Sequence, residues 1–503
     1  MPERRSAKAI YLATILCLVV VTLWLRLVNL GYSDYQGDEI KALATPASGQ
    51  SLVQFLLEQR KGPTQFVISY GLQRIYPAMD NEFFTRLPFA LAGALAIGVF
   101  YLLVELHFGK RIGVVAALLL SINGLMVGLS RIVQYQPLVI LFSLLTLYFF
   151  SLAEKSRRWQ VGGIYLGMVC WAAALLTHYD GIFIAPMAIV LLARWYSRKT
   201  DLPARLRVKH LLLPALLAIL LLVIFYGPYV YALSGSTLSY FWLRIAGEGE
   251  QAGTPSSLFT FRLYNPLLAI YAYLFFGALS VFRMRKLWSI WLWLLFPWLV
   301  LEVLLADPGT HIYAYVIPAT ILAAQGIDVC AVFASKLIKD QRSEVIIYAG
   351  AAGILAFLAL VSHLIFIDHS PEYPWEERRI LSWTIGKPDP EYRMWVFGFP
   401  YNRQWEEIGK FVSKEPGTGY YATNENKSIA EYFVPYPFDI NRAGYYIHVY
   451  HPQSFRDKLA DDKIRYWMKN YAPVKTIQNQ GNVVAEIYQM PAGSVDEIRK
   501  LGY

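Results

Sequence analysis

The sequence predicts a polytopic α-helical membrane protein with about 11 transmembrane helices and a small C-terminal domain. Of its 503 residues, 56% are hydrophobic and the mean hydropathy is +0.37, which exceeds what soluble domains show. Apolar runs recur up to Ile367 at about the 20 residues needed to cross a bilayer. Lys and Arg gather in the short loops between these runs, which is the pattern of membrane topology. That placement explains the net charge of +10 without a nucleic-acid partner, which we therefore exclude.

Apolar length and the basic loops together predict the topology. The predicted spans cover residues 9–30, 82–107, 112–129, 134–153, 160–178, 181–196, 210–232, 264–282, 287–306, 311–332 and 344–367. Every second loop is basic, and the positive-inside rule places those loops in the cytoplasm. The first loop, 31–81, then lies on the outer side, as does everything after residue 367. We expect a multi-pass protein of the cytoplasmic (inner) membrane, with a transmembrane domain at 1–367 and an extracytoplasmic domain at 368–503.

One segment of the first loop is ambiguous. Thr64 to Ala78 is apolar but short, and it contains Gln65, Gln73 and Arg74. Counting it as a span would invert every later loop and move the basic clusters outside. We therefore interpret it as a juxtamembrane helix at the outer interface.

The composition changes after Ile367, where charged residues, Tyr, Pro, Asn and Gly return. This stretch is long enough for a small α/β domain. Helices are predicted at 405–412 and 454–469, and short strands at 419–422, 444–450 and 483–488. The three cysteines, Cys17, Cys170 and Cys330, all lie in apolar runs, without the spacing of a disulfide framework or a metal site.

Asp38 and Glu39 are adjacent carboxylates directly after the first apolar run. A carboxylate at this position can act as a general base toward an attacking hydroxyl or amine. The alternative is a structural one, because acids are common at helix N-termini and Asp38 or Glu39 can pair with Lys41. The pair alone does not decide between these interpretations.

Cations are the second group of candidates. Arg60 and Lys61 end the first part of the outer loop, where they can hold a phosphate or extend along the membrane surface as long basic side chains commonly do. Arg131 lies between the third and fourth spans, and a charge at such a position indicates a functional site by default. An anchoring role at the interface is the alternative.

Further candidates lie on the same predicted side: His178, Tyr179, Arg244, Arg262, His311 and Tyr315. Each alone is a weak signal, since a lone histidine is more often a hydrogen-bonded structural residue than a ligand. Asp180 and Tyr179 can orient His178, but no spacing indicates a metal site. The sequence makes no cofactor certain and leaves a divalent metal open.

These motifs, taken in order, resemble the GT-C class of membrane glycosyltransferases, in the branch of protein O-mannosyltransferases and lipid A aminoarabinose transferases (glycosyltransferase families 39 and 83). The resemblance covers residues 1 to about 330, and the C-terminal part is similar by position only. The similar segments are Gly37-Asp38-Glu39, Lys61-Gly62-Pro63, Thr85 to Gly93, Leu129-Ser130-Arg131, and His311 to Pro318.

The resemblance implies a sugar donor linked to a polyprenyl phosphate. The sugar passes to a protein, lipid or cell-envelope glycan acceptor outside the membrane, usually with inversion at the anomeric carbon. It implies Asp38 as the base, Glu39 as a neighbour that positions acceptor or metal, and Lys61 as the phosphate ligand, with Arg131 assisting. Gln134 and Gln136 stand where the family often has Arg and Asp, which removes one candidate carboxylate.

Two other functions compete with the enzyme. A transporter or flippase of a lipid-linked sugar should contain paired halves and broken helices at the midplane, whereas the polar residues here gather on one side. A non-catalytic scaffold leaves the acid pair and Lys61 unexplained. The sequence therefore favours a polyprenyl-phosphate-sugar-dependent glycosyltransferase, partly by analogy of fold.

Overall fold

The computed structural model describes residues 2–198, 202–233, 235, 237–239, 242, 256–306, 308–338, 342–375, 377–380, 382–386, 397–415, 417–453 and 468–490. Most of this chain up to residue 366 is helical. The helices are α1 Pro2–Leu27, α2 Gly37–Leu43, α3 Leu52–Leu57, α4 Thr64–Ile75, α5 Glu82–Phe108, α6 Lys110–Ile122, α7 Gly124–Ser130, α8 Gln136–Lys155, α9 Gly162–Thr177, α10 Ala185–Ser197, α11 Ala204–Ala232, α12 Ser257–Tyr264, α13 Ala269–Leu279, α14 Met284–Leu299, α15 Tyr313–Ile338 and α16 Arg342–Phe366. Short 3-10 turns at Tyr179–Ile184, Ser280–Arg283 and Gly309–Ile312 connect some of them.

Many of these helices are long and apolar enough to cross a membrane. Within the described residues there are seven such stretches: Glu82–Phe108, Gln136–Lys155, Tyr179–Ser197, Ala204–Ala232, Ala269–Leu304, Gly309–Leu337 and Val345–Phe366. The pair α6 and α7 forms an eighth, and Tyr11–Leu27 and Gly162–Thr177 are shorter apolar helices. The chain is thus a multi-pass membrane protein. Thr64–Ile75 is a helix, as predicted, and is not among the candidate spans.

The apolar stretch Ala269–Leu304 reverses direction at its 3-10 turn. Tyr273 of α13 contacts Thr320 of α15, and Arg283 pairs with Asp328 further along α15. Glu302 then accepts a hydrogen bond from Tyr315, near the start of α15. Because the contacts first advance along α15 and then return, α13 and α14 form a hairpin rather than one straight helix.

The predicted span 112–129 is broken in the structure. α6 and α7 meet at an angle of 62°, and Asn123 lies at the break. Its side-chain oxygen accepts the backbone N–H groups of Leu125 and Met126, which caps α7. The backbone of Tyr264 packs so closely here that a Cβ on Gly124 would lie 1.8 Å from its carbonyl oxygen. After the break, Arg131 at the end of α7 donates to the carbonyl oxygen of Asn29, so this end of α7 lies beside the start of the first loop.

The C-terminal region contains a four-stranded sheet in the order β3-β4-β6-β5. The strands are β3 Tyr421–Thr423, β4 Tyr445–Val449, β5 Lys475–Asn479 and β6 Asn482–Gln489, and the helices are α17 Trp405–Lys414 and α18 Lys427–Phe433. β3 and β4 are parallel, and the other pairs are antiparallel. A separate hairpin, β1 Arg378–Ile380 with β2 Trp383–Ile385, precedes them.

These elements match the predicted helix at 405–412 and the three predicted strands. β5 was not predicted. Most of the predicted helix at 454–469 lies outside the described residues. The sheet and its helices share an apolar core of their own, which includes Trp405, Ile408, Tyr421, Ile447 and Ile487.

Candidate functional site

The adjacent acids Asp38 and Glu39 lie in the first turn of α2 and point in different directions. Gln36 caps the helix, since its side chain accepts the N–H of Asp38 while Glu39 accepts the N–H of Gln36. This capping box fixes the register of the two acids. Asp38 stays accessible, with 41% of its side chain exposed, and lies 3.2 Å from Lys41. An exposed pair of this kind is weak, so Asp38 keeps a carboxylate that a substrate can reach.

Glu39 is buried and fully engaged. Its Oε1 accepts from Arg86 Nε at 2.8 Å and from the N–H of Val133 at 2.9 Å. Its Oε2 accepts from Arg86 Nη2 at 2.8 Å and from the N–H of Gln36 at 2.9 Å. With every oxygen occupied, Glu39 is arranged to hold the loop in place and not to exchange a proton. The geometry thus separates the two predicted catalytic acids into an accessible carboxylate and a positioning one.

Arg86 completes this anchor from α5. Besides Glu39, its guanidinium donates to the carbonyl oxygens of Leu30, Ser33 and Asp34 in the first loop. The side chain is 2% exposed. In the sequence, Arg86 was part of a segment that is similar to the glycosyltransferase family, and no role was predicted for it. A buried arginine at the start of a predicted span is itself a signal that an acid lies nearby.

Residues 133–135 bring Glu39 and the predicted phosphate ligand together. The backbone N–H of Val133 binds Glu39, and the side chain of the next residue, Gln134, accepts from Lys61 Nζ at 3.0 Å. Lys61 Nζ also lies 4.7 Å from the centre of the Tyr135 ring, which is the distance of a cation–π contact. Positions that are far apart in the first loop are therefore fixed on neighbouring residues.

Lys61 and Arg60 line a cavity of about 310 Å³ between the first loop, α9 and α11. The remaining wall is aliphatic and aromatic, formed by Gly62, Leu175, Tyr179, Leu222, Tyr226 and Tyr229. Gly62 packs against the end of α9 so closely that a Cβ would lie 2.0 Å from the carbonyl oxygen of Leu176. This contact fixes the segment that carries both cations beside a largely apolar space.

Arg131 does not have the surroundings predicted for a phosphate ligand. Its Nη1 donates to the carbonyl oxygens of Leu25 and Val28, and its Nη2 donates to that of Asn29. These carbonyls belong to the C-terminal end of α1, where helices have unpaired acceptors. The side chain is buried and lines a different cavity from the one at Lys61. The arrangement favours a structural capping role.

His178 and His311 lie on either side of Asp180. Asp180 Oδ1 is 3.0 Å from His178 Nδ1, and Asp180 Oδ2 is 2.6 Å from His311 Nδ1. The Tyr313 hydroxyl also donates to Oδ2. The ring of Tyr135 stacks on His178 with centroids 3.9 Å apart, so this cluster adjoins Lys61. Its polar atoms can hold a metal ion, because one ligand atom from each of His178, Asp180 and His311 lies within 4.8 Å of the others.

The other predicted residues are more dispersed. Tyr179 lines the cavity at Lys61, whereas Tyr315 donates to Glu302 at 2.8 Å. Arg262 is exposed on α12 and lies 3.4 Å from the Tyr271 hydroxyl. Arg244 lies outside the described residues.

The C-terminal region is docked on the first loop beside this site. The backbone N–H of Arg403 donates to Asp34, and the Arg403 guanidinium pairs with Glu372. Burial raises the pKa of Asp34 to about 7 and also raises the pKa of Glu425 to about 7. The buried polar contacts at this boundary are therefore sensitive to pH near neutrality.

Comparison with known proteins identifies the fold. Residues 65–227 match the family model described as dolichyl-phosphate-mannose-protein mannosyltransferase. Among curated proteins, no sequence matches the chain. The structure is similar to ArnT from Cupriavidus metallidurans in the apo state, with 13% identity, a TM-score of 0.53, and coverage of 96% of this chain and 98% of that one.

Two further solved structures are similar. ArnT from Cupriavidus metallidurans bound to undecaprenyl phosphate matches with 13% identity, a TM-score of 0.54 and the same coverage, 96% and 98%. The Archaeoglobus fulgidus oligosaccharyltransferase in the apo form matches with 13% identity, a TM-score of 0.50, and coverage of 86% of this chain and 65% of that one. The chain therefore has the fold of the GT-C membrane glycosyltransferases, which confirms the resemblance predicted from its sequence.

Proposed function

We propose that this protein transfers a sugar from a polyprenyl-phosphate donor to an acceptor on the outer side of the cytoplasmic membrane. The observation that carries the proposal is the cavity at Lys61, whose lining combines two basic side chains with an otherwise aliphatic and aromatic wall, beside the loop that presents Asp38. A polyprenyl phosphate has the complementary form, an anionic head on an apolar chain. A protein of the same fold, ArnT from Cupriavidus metallidurans, has been solved bound to undecaprenyl phosphate.

The walls of the cavity suit a lipid chain that enters from the bilayer. Among the seven long apolar stretches of the described residues, α11 is the one least buried inside the protein. Leu222, Tyr226 and Tyr229 of α11 line the cavity together with Leu175 of α9, and the Tyr226 hydroxyl donates to the carbonyl oxygen of Leu175 at 2.6 Å. A prenyl chain between these helices would bring its phosphate to Lys61 and Arg60.

The chemistry needs a cation more than an acid at the leaving group. Displacement at the anomeric carbon passes through a cationic, oxocarbenium-like state, and a phosphate monoester leaves as a stable anion. Lys61 would neutralise the charge that develops on its oxygens, an effect that is large in a dry site. The bond from the anomeric carbon to the phosphate oxygen breaks, and polyprenyl phosphate is released.

Asp38 would act on the acceptor. The acceptor oxygen or nitrogen bonds to the anomeric carbon and passes its proton to the Asp38 carboxylate. Attack from the face opposite the phosphate inverts the anomeric configuration. The acceptor would be a protein, a lipid or a cell-envelope glycan. Glu39 would act indirectly, by holding the helix turn that presents Asp38.

The proposed topology has eleven membrane crossings. It combines the seven apolar stretches, the bent pair α6 and α7, and the two shorter apolar helices, and it counts the hairpin of α13 and α14 as two crossings. The first loop and residues 368–503 then lie on the outer side, as the basic loops predict. In this arrangement Asp38, Lys61 and the C-terminal domain all face the extracytoplasmic space.

Release of polyprenyl phosphate from a purified sample tests the donor. Lys61→Ala should lower kcat/KM for a polyprenyl-phosphate sugar about 10–150-fold, the equivalent of one charge-assisted hydrogen bond. Lys410→Ala is the matched control, because Lys410 is exposed and pairs with Glu406 at the surface. Equal turnover of the two variants would reject Lys61 as the phosphate ligand.

The base is tested in the same assay. Asp38→Asn should lower kcat about 10²–10⁴-fold at unchanged thermal stability, with Glu431→Gln as a control for removal of an exposed acid. Undiminished turnover in Asp38→Asn would remove Asp38 from the mechanism. Movement of intact donor across a vesicle membrane without release of polyprenyl phosphate would instead identify a transporter.

A further inference from the structure

His178, Asp180 and His311 form a cluster that the proposed reaction does not use. Two of the three side chains are buried, with His178 2% and Asp180 4% exposed, and the His311 side chain is 11% exposed. We infer that these residues bind one divalent transition-metal ion, with zinc as the preferred ion. The inference depends only on this geometry and holds whether or not the protein is a transferase.

An unpaired carboxylate oxygen is the main evidence for an ion. Asp180 Oδ1 is buried, and no donor among the described residues hydrogen-bonds to it. His178 Nδ1 lies 3.0 Å from this oxygen, and that nitrogen already accepts the backbone N–H of Asp180 at 3.2 Å. The imidazole nitrogen therefore presents a lone pair, not a proton, to the carboxylate. Two buried lone pairs at this separation repel each other unless a cation lies between them.

The ligand set is one that zinc prefers. Two imidazole nitrogens and one carboxylate oxygen are common zinc ligands, at about 2.0–2.2 Å from the ion. One atom from each side chain lies within 4.8 Å of the other two, so small rotations bring all three onto one ion. Calcium and magnesium favour oxygen ligands, so two histidines argue against them.

The surroundings of the ligands are those of a supported metal site. The Tyr313 hydroxyl donates to Asp180 Oδ2, and Tyr135 stacks on the ring of His178. Contacts of this kind orient metal ligands. The main alternative is an ion pair, in which a protonated His311 neutralises Asp180 at 2.6 Å. That ion pair gives Asp180 Oδ2 a partner, but it does not explain why Asp180 Oδ1 lies against the lone pair of His178.

The ion would join parts of the chain that are distant in sequence. His178 and Asp180 belong to the turn between α9 and α10, and His311 belongs to the turn before α15. Tyr179, between the two ligands of the first turn, lines the cavity that contains Lys61. A metal at this position would therefore fasten one wall of the cavity and contribute to the folding free energy.

Metal analysis of the full-length protein tests this inference directly. The protein is purified in detergent through a tag without histidines, dialysed against a chelator, and then incubated with zinc sulfate. We expect one zinc per chain by mass spectrometry of the metal content, and a melting temperature that falls with EDTA and returns with zinc. Cobalt in place of zinc should give the visible absorption of a low-symmetry nitrogen and oxygen site.

Matched histidine variants identify the ligands. His311→Gln and Asp180→Asn should retain less than a tenth of the zinc and lose the response to EDTA. His107→Gln is the control, because His107 is a partly buried histidine that bonds to Ser151 outside the cluster, and it should keep the metal. A wild-type protein that binds no zinc and ignores EDTA would overturn the inference and favour the ion pair. Equal zinc in His311→Gln and wild type would also overturn it.

Discussion

Replacing Glu39 by glutamine should destabilise the protein strongly, whereas replacing its neighbour Asp38 by asparagine should not. The Glu39 carboxylate accepts two hydrogen bonds from the buried Arg86 guanidinium and one each from the N–H groups of Val133 and Gln36. A glutamine has only one oxygen, so its NH2 group would face donors and leave Arg86 without a counter-charge. Removing one partner of a buried ion pair costs about 3–5 kcal/mol.

Asp38 provides an internal control for this estimate. Its pair with Lys41 is exposed on both side chains, and exposed pairs contribute about 0–1 kcal/mol. The two substitutions differ by one position and remove the same charge. The expected difference of a few kcal/mol therefore reports burial and bonding, not net charge.

Unfolding in mixed detergent and SDS micelles, followed by tryptophan fluorescence, measures both variants. A double-mutant cycle of Glu39→Met and Arg86→Met isolates the pair, and the double variant should be less harmful than the sum of these two single changes. Equal stability of Glu39→Gln and Asp38→Asn would refute the assignment of Glu39 as the anchor of the loop. Additive effects in the cycle would show that Arg86 and Glu39 act independently.

Two further outcomes follow from packing and from burial. Gly62→Ala should raise the donor KM at least tenfold, because its Cβ would lie 2.0 Å from the carbonyl oxygen of Leu176 and displace the basic segment. Gly71→Ala is the control and should leave KM unchanged, since a Cβ there meets nothing within 4 Å. Equal KM values in the two variants would contradict this reasoning. Burial raises the pKa of Asp34 to about 7, so the folded state holds this proton more tightly than the unfolded state. Stability should then fall as pH rises from about 4 to 7, by up to roughly 4 kcal/mol for this group. Melting curves from pH 5 to 8 should have a smaller slope in Asp34→Asn, while Glu425 contributes in the same direction in both proteins; an unchanged slope would contradict the assignment.

Apolar length was sufficient to predict most of the fold, because a helix in lipid must satisfy its own backbone hydrogen bonds. The boundaries that differ have local causes. The span predicted from residue 264 begins instead at Ala269, since Leu267 adopts a positive φ of 62° between α12 and α13. The strand β5 was missed because it is polar, with Ile477 as its buried residue, as edge strands often are.

For the candidate site, the sequence indicated the types of residue but not their partners. Asp180 meets His311 across 131 positions, and Glu39 meets Arg86 across 47 positions. Such pairs form when helices pack against each other, and a single sequence does not show which helices do so. The resemblance implied different roles for Asp38 and Glu39, but the residues alone did not show that one is exposed and the other buried, which follows from the register of the capping box.

The short segment between α7 and α8 explains why these distant residues act together. Asn123 breaks the helix before it and caps α7, whose end lies beside the start of the first loop. Val133 then fixes Glu39 through its backbone, and Gln134 fixes Lys61 through its side chain. Because both contacts are made by adjacent residues, a displacement of this segment moves the proposed base and the proposed phosphate ligand at once. A neutral glutamine is suited to this task, since it orients the ammonium group of Lys61 without neutralising the charge that a phosphate would need.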